Sequence, residues 1–176
     1  MRPHRFHLAA LLCLVSGMAM AQSAPAAAPV MKQMLAPDGR YSLMMPGTPQ
    51  FDAEEVTLKT GEKVQINEYY VELENKNVSY MLKYNDYPPD AANLAPEVML
   101  EGIRDGAAAG KTLLTDTAIV LDGAPGRAFT TRDSKGWQYD VHQFFVNKRL
   151  YQLIIVTNKG YTATYRDTFM NSFHLK

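Results

Sequence analysis

The chain has 176 residues, with 18 basic and 18 acidic side chains and a formal net charge of zero. Nucleic acids and anionic membranes require basic runs or stripes on a binding protein, so this balance argues against either as the main partner. The single cysteine, Cys13, excludes a framework of disulfide bonds.

The N-terminal residues have the pattern of a cleavable signal peptide, 1–21. Arg2 and Arg5 give a basic start, an apolar run follows over 8–15, and Ala19 and Ala21 are small residues at the two positions that a signal peptidase reads. We expect cleavage between Ala21 and Gln22. The expected location is therefore periplasmic or secreted, with no membrane span left after cleavage.

Two alternatives to cleavage are a membrane anchor and a lipoprotein acylated at Cys13. A spanning helix needs roughly 20 predominantly apolar residues, and this run is shorter. Leu12 is bulky where a lipoprotein needs a small residue. Cleavage removes 21 residues and leaves 155, with 16 basic and 18 acidic side chains, a net charge of about −2.

Residues 22–37 are predicted to be a flexible Ala/Pro linker, because 22–29 hold little to bury and include Pro25 and Pro29. The remainder, 38–176, is predicted to form one domain. No internal repeat or second boundary interrupts it.

The spacing of apolar residues predicts the elements of this domain in chain order. Alternation indicates strands, while apolar residues three and four apart indicate helices. A change of phase between Ile66 and Tyr69 predicts a bulge near Asn67 or Glu68. The predicted elements are strands at 41–45, 56–58, 64–66, 69–73 and 78–84, a helix at 95–107, strands at 117–121, 127–132, 137–146 and 149–157, and a helix beginning near Tyr161.

The last predicted strand is apolar on both faces, with Leu150 and Ile154 on one face and Leu153 and Ile155 on the other. Both faces must therefore be covered. Short turns between strands favour antiparallel neighbours, and two helices are available as covering layers. The predicted fold class is α+β, as a three-layer α/β/α sandwich with a central antiparallel sheet.

The segment from Gly106 to Thr112 resembles a phosphate-binding loop, but only three residues separate its glycines where four are needed. It also closes a predicted helix instead of opening one. We therefore interpret it as a helix end and a loop.

His142 lies two residues from Asp140 on one face of a predicted strand, a pairing that can orient a general base. The alternative is a structural histidine, and no serine lies in a nucleophile-elbow setting. We expect no catalytic residue, no cofactor and no enzyme activity. A hydrolase using this pair is the minor hypothesis.

The segment Asn85 to Asp90 is the most distinctive loop. Asp86 and Asp90 can supply oxygen ligands to a divalent cation, and Tyr87 can belong to a recognition surface. The alternative is that these residues only end a strand.

Trp137 and Tyr139 alternate along the strand after an exposed turn, which makes them candidate interface residues. Core packing is the favoured alternative for both.

Two segments have a recognisable pattern: the strand end Met45-Pro46-Gly47-Thr48-Pro49 and the strand from Tyr80 to Pro88. They are similar to the opening motif and to a later strand of the PsbP-like family. The segments 121–127 and 146–153 are similar to its small bacterial members. The resemblance covers most of 38–176, and its motifs are turns, strand ends and core aromatics.

The resemblance implies an α/β/α sandwich and a non-catalytic role. Relatives in this family include an extrinsic photosystem II subunit, a nuclear-transport factor that binds a small GTPase, and DcrB-type bacterial envelope proteins. They dock onto larger assemblies. We therefore expect an exported envelope accessory protein that docks onto a protein partner; a small-ligand or divalent-cation binding protein is the alternative.

Overall fold

The computed structural model describes residues 28–58, 61–88 and 94–176. The predicted signal peptide, the cleavage site at Ala21 and Gln22, and Asp90 lie outside these ranges. The described elements are β1 (Met31–Leu35), β2 (Tyr41–Pro46), β3 (Gln50–Thr57), β4 (Lys63–Leu73), β5 (Val78–Asp86), α1 (Pro96–Ala108), β6 (Thr112–Leu121), β7 (Ala124–Arg132), β8 (Gln138–Val146), β9 (Arg149–Thr157), α2 (Arg166–Asn171) and β10 (His174–Leu175).

The main sheet has seven strands in the order β3-β4-β5-β9-β8-β7-β6, and every neighbouring pair is antiparallel. β9 lies in the middle. Its turn to β8 is tight because Asn147 and Lys148 both have positive φ, at 48° and 66°. The mostly antiparallel sheet with two helices agrees with the predicted α+β class.

One face of the main sheet, here called the core face, carries the largest hydrophobic cluster. Tyr80, Leu82, Leu153 and Ile155 are fully buried on it. A small three-stranded sheet in the order β1-β2-β10 and the helix α2 cover this face. Their buried side chains are Tyr41, Leu43, Met45, Phe169, Met170 and Phe173.

The opposite face, here called the helix face, is partly covered by α1. Leu100 of α1 packs against Phe145 and Leu150, and the side chain of Gln143 donates a hydrogen bond of 2.6 Å to the Leu100 carbonyl. Pro96 begins the helix, where a missing N–H costs nothing.

Part of the predicted linker is a strand. Residues 22–37 were expected to be unstructured, but β1 pairs with β2 from Met31↔Pro46 to Leu35↔Ser42. Met34 packs against the core cluster. The Ala/Pro composition that suggested a linker ends at Pro29, and the apolar residues after it bury surface.

Two other details differ from the sequence-based expectations. The predicted bulge near Asn67 is absent, because β4 pairs with β3 and β5 in continuous register there; the irregularity lies instead between Leu113 and Thr115 of β6. α2 has only six residues, although its apolar spacing predicted a longer helix. The core face is covered by a sheet as well as a helix, and the simple α/β/α layering stays a prediction.

Gly126 of β7 is paired with Phe144 of β8, whose ring fills the space that a side chain at residue 126 would need. A Cβ added to it would lie 2.4 Å from a ring carbon of Phe144 and 2.8 Å from the Gln143 carbonyl oxygen. Gly126→Ala is therefore expected to lower the free energy of unfolding by about 1–3 kcal/mol, because Phe144 must leave its packed position.

The matched control is Gly102→Ala, since a Cβ at this exposed position of α1 meets no atom within 4 Å. We expect this change to raise the free energy of unfolding by about 0.5–1 kcal/mol through helix propensity. Urea unfolding of both variants measures the two effects. Equal effects of the same sign would contradict the packing of Phe144 over Gly126.

Candidate functional site

A cleft of about 720 Å³ opens on the core face at the end of the β7–β8 hairpin. Strand residues form its floor, and the segment after β9 together with the first residue of α2 forms its wall. The side chains that carry its chemistry are Arg132, Gln138, Asp140, Lys159, Tyr161 and Arg166.

Asp140 is the buried anchor of the cleft. Its carboxylate accepts a hydrogen bond of 2.7 Å from the Thr130 hydroxyl and two bonds of 3.3 Å from the Gln138 amide. The amide oxygen of Gln138 in turn accepts a bond of 3.0 Å from Arg132. The register pairs Thr130 with Asp140 and Arg132 with Gln138, so two adjacent strands align all four side chains.

Arg166 reaches the same carboxylate from α2, with its Nε 3.7 Å from an Asp140 oxygen. The neighbouring His142 lies on the core face beside Asp140. Burial lowers the pKa of His142, the charge of Arg166 lowers it further, and the charge of Asp140 opposes both effects. The histidine is therefore held toward its neutral form.

The hydrolase hypothesis required His142 and Asp140 to act together. Asp140 lines the cleft, but His142 is not among the lining residues, and the Asp140 oxygens are occupied by Thr130, Gln138 and Arg166. The geometry gives this hypothesis no support, and the absence of enzyme activity stays a prediction.

Asp86, the candidate cation ligand, is used in an ion pair. Arg149 donates a bond of 2.6 Å to each of its carboxylate oxygens and a third bond to Asp38. The guanidinium also lies 4.8 Å from the centre of the Tyr84 ring. Among the described residues, no three His, Cys, Asp or Glu side chains are grouped to hold a metal. A cation site that includes Asp90 stays a prediction.

The Arg149 cluster joins the small sheet to the main sheet, because Asp38 lies between β1 and β2 while Asp86 ends β5. The hydrogen bonds from Arg149 lower the pKa of Asp86, partly opposed by burial. At Asp38 burial raises the pKa, but the bond and charge of Arg149 outweigh it and the net shift is downward. The cluster therefore has a structural role, because it holds the small sheet to the main sheet.

The candidate interface residues are all partly buried. Tyr87 packs edge-to-face against Phe145, with ring centres 5.9 Å apart. The Lys111 ammonium lies 4.7 Å from the centre of the Tyr139 ring. The backbone N–H of Trp137 donates to the Asp133 side chain within the turn. Their role as an interface stays a prediction.

The segment from Gly106 to Thr112 is a helix end, as its spacing indicates. Gly110 has φ 74°, and the Lys111 ammonium donates a bond of 2.7 Å to the Ala107 carbonyl of the last turn. The Lys111 ammonium is thus bonded to the backbone of the helix end.

The two edges of the main sheet differ in charge. The β3 edge carries Asp52, Glu54 and Glu55 along eight residues. The ten-residue β6 edge carries one ionisable side chain, Asp116, which points inward to an ion pair with Arg104 and Arg127. Leu113, Leu114 and Val120 are exposed on this edge.

Neither the cleft nor the exposed β6 edge was predicted from the sequence. The near-absence of charged residues over 112–121 is visible in the sequence and is typical of a strand that accepts a partner. This composition identifies an edge strand only once the strand order is known. The strand itself was expected to begin at residue 117 and begins at Thr112.

Comparison with known proteins gives no family by sequence. No protein-family model matches the chain, and no curated protein matches it. Neither helix of the described chain has the length and hydrophobicity that crossing a membrane requires.

Solved structures that are similar to the chain include the following two. The solution structure of cyanobacterial PsbP (CyanoP) from Synechocystis has a TM-score of 0.48 and 14% identity, over 89% of this chain and 99% of that protein. The crystal structure of a protein of unknown function from Pseudomonas aeruginosa has a TM-score of 0.36 and 8% identity, over 78% and 89%. At these values neither likeness indicates what the chain binds.

The ion pair of Asp86 gives a prediction with a definite pH dependence. A lowered pKa in the folded state means that the carboxylate stabilises the fold above its unfolded pKa, near 3.9, and that this contribution is lost as pH falls through the folded pKa. Asp86→Asn should lower the free energy of unfolding by roughly 1 kcal/mol at pH 7, because Asp86 is half-exposed.

Urea unfolding of Asp86→Asn and the wild type from pH 7 to pH 2 measures this effect. The difference should stay constant above about pH 5 and shrink toward pH 2. Asp167→Asn is the control, since that side chain is 87% exposed and should change stability little. A difference that persists at pH 2 would show that the carboxylate charge is not its cause.

Proposed function

We propose that the chain is a non-catalytic, exported accessory protein of the cell envelope that docks onto a protein partner through the β6 edge. The observation that carries this proposal is a ten-residue edge strand with no free charge. Membership in the PsbP-like family, a relation to DcrB-type proteins and the three-layer sandwich belong to the same proposal.

An edge strand presents unpaired backbone N–H and C=O groups, and native proteins usually protect such edges with charges, prolines or bulges. The β3 edge follows this rule with its three carboxylates. On β6 the only charge is neutralised by Arg104 and Arg127, and the bulge affects only the end near Leu113. The residues from Thr115 onward pair regularly with β7.

The occupant that fits this edge is an extended segment of another protein with uncharged, apolar side chains. Such a segment adds a strand, so that main-chain hydrogen bonds provide affinity and apolar side chains provide specificity. Leu113 and Val120 lie on the helix face of β6 and are exposed, which gives that segment side-chain contacts.

Export rests on the N-terminal pattern alone. The mass of the protein recovered from its host distinguishes a chain that begins at Gln22 from one that retains residues 1–21. Recovery of the uncleaved chain from the cytoplasm would contradict this part of the proposal.

Val120→Lys tests the docking edge, because it places a charge among the apolar side chains of the helix face that an added strand would contact. We expect at least about a tenfold loss of affinity for the partner captured from envelope extract, since the ammonium would be buried without a counter-charge. Val30→Lys is the matched control: Val30 is 72% exposed and Val120 is 74% exposed. Quantitative capture by wild type and both variants, using the full chain, measures the effect.

Amide exchange on the purified complex locates the contact independently of the variants. The backbone amides of 112–121 should slow on binding, and those of β3 should not. Protection elsewhere with an unchanged β6, or equal binding by Val120→Lys, would contradict the proposed edge. A concentration-dependent dimer of the purified chain that Val120→Lys abolishes would assign the edge to a second copy instead.

A further inference from the structure

We propose that the cleft at the β7–β8 hairpin binds a small organic dianion, of the phosphate monoester or dicarboxylate class. This site is on the core face, apart from the β6 edge, and does not depend on the docking function. Its lining includes three cationic side chains, Arg132, Lys159 and Arg166, and one carboxylate, Asp140. Two positive charges are therefore left without a counter-charge in the cleft.

Among the arginines in the part of the chain that the structure describes, Arg132 is the one with no carboxylate within ion-pair distance. The other five each lie within ion-pair distance of a carboxylate: Arg40, Arg104, Arg127, Arg149 and Arg166. The guanidinium of Arg132 is bonded instead to the neutral amide of Gln138. The planar fork of arginine matches a carboxylate or a phosphate, and Arg132 has neither within ion-pair distance among the described residues, because the one lining carboxylate, Asp140, is bonded to Thr130 and Gln138.

Arg132 is oriented at the cleft by a hydrogen bond to Gln138. Thr130 and Gln138 hold the buried Asp140 carboxylate, and Gln138 then holds Arg132. Side chains that are already oriented lose less conformational entropy on binding, so this chain of hydrogen bonds favours affinity. It also explains why a carboxylate can lie in a site for anions: its oxygens are occupied and it acts as a support.

The second cation, Arg166, approaches from α2 with only long ion-pair distances, 3.7 Å to Asp140 and 3.4 Å to the exposed Asp167. Lys159 lies at the rim after β9, with its aliphatic stem beside Gly136: a Cβ added to this glycine would lie 3.5 Å from the Lys159 Cβ. The exposed ring of Tyr161 adds an apolar wall. A ligand with an anionic group and a small organic body matches this combination.

Calorimetric titration and protein chemical shifts with inorganic phosphate, succinate and acetate test the proposal on the full chain at about 0.15 M ionic strength, where exposed charges are screened beyond roughly 8 Å. We expect saturable binding of phosphate or succinate, weaker binding of acetate, and shift changes at Arg132, Gln138 and Tyr161. Phosphate alone would indicate the phosphate-ester class, and succinate alone the dicarboxylate class.

Arg132→Gln should weaken that binding by at least about tenfold, because a charge-assisted hydrogen bond is lost. Lys135→Gln is the control: it removes a charge from the exposed turn of the same hairpin, outside the cleft. An equal loss in both variants would reduce the effect to general surface charge. No saturable binding up to about 10 mM would overturn the proposal, and the docking test on β6 would be unaffected.

Discussion

The central strand β9 must bury side chains on both of its faces, and the other layers follow from this constraint. Leu153 and Ile155 meet the small sheet and α2, while Leu150 meets α1. Burying one aliphatic side chain fully stabilises the fold by roughly 1.5–3 kcal/mol relative to leaving it exposed to water. Both faces of β9 therefore need a covering layer. Arg149 opens the same strand and holds Asp38 and Asp86, so one strand fixes both the two covering layers and the attachment of β1 and β2.

Elements whose burial pattern lies within their own residues were predictable from the sequence. β5, β8, β9 and α1 were expected close to their observed bounds, because alternation or helical spacing records which face is packed. β1 and β10 were not expected, since their pairing depends on β2, which is distant from β10 in sequence. α2 ends at Asn171, and Phe173 reaches the core from beyond the end of the helix, so an apolar residue at helical spacing did not mark a helical one.

The residues of the cleft likewise divide into those that the sequence could place and those that it could not. The turn after Arg132 was visible in the sequence, so its pairing with Gln138 could have been inferred. Lys159 and Arg166 belong to elements that only the fold brings to the same place. In β4 the change of phase between Ile66 and Tyr69 is real, but the predicted bulge is not its cause. Val64 and Val71 are buried on opposite faces of a strand with continuous register. The phase change records a switch of the packed face, which a single strand achieves without a bulge.

The inequality of the two sheet edges also limits how far any assembly can grow. If β6 receives a strand, the new outer edge belongs to the partner, and the far side of the molecule still ends at β3. Two β3 edges would bring Asp52, Glu54 and Glu55 against their own copies, and β6 offers no cation to neutralise them. The carboxylates of β3 therefore disfavour this edge as a partner for another copy, which opposes growth into an open-ended row of strands.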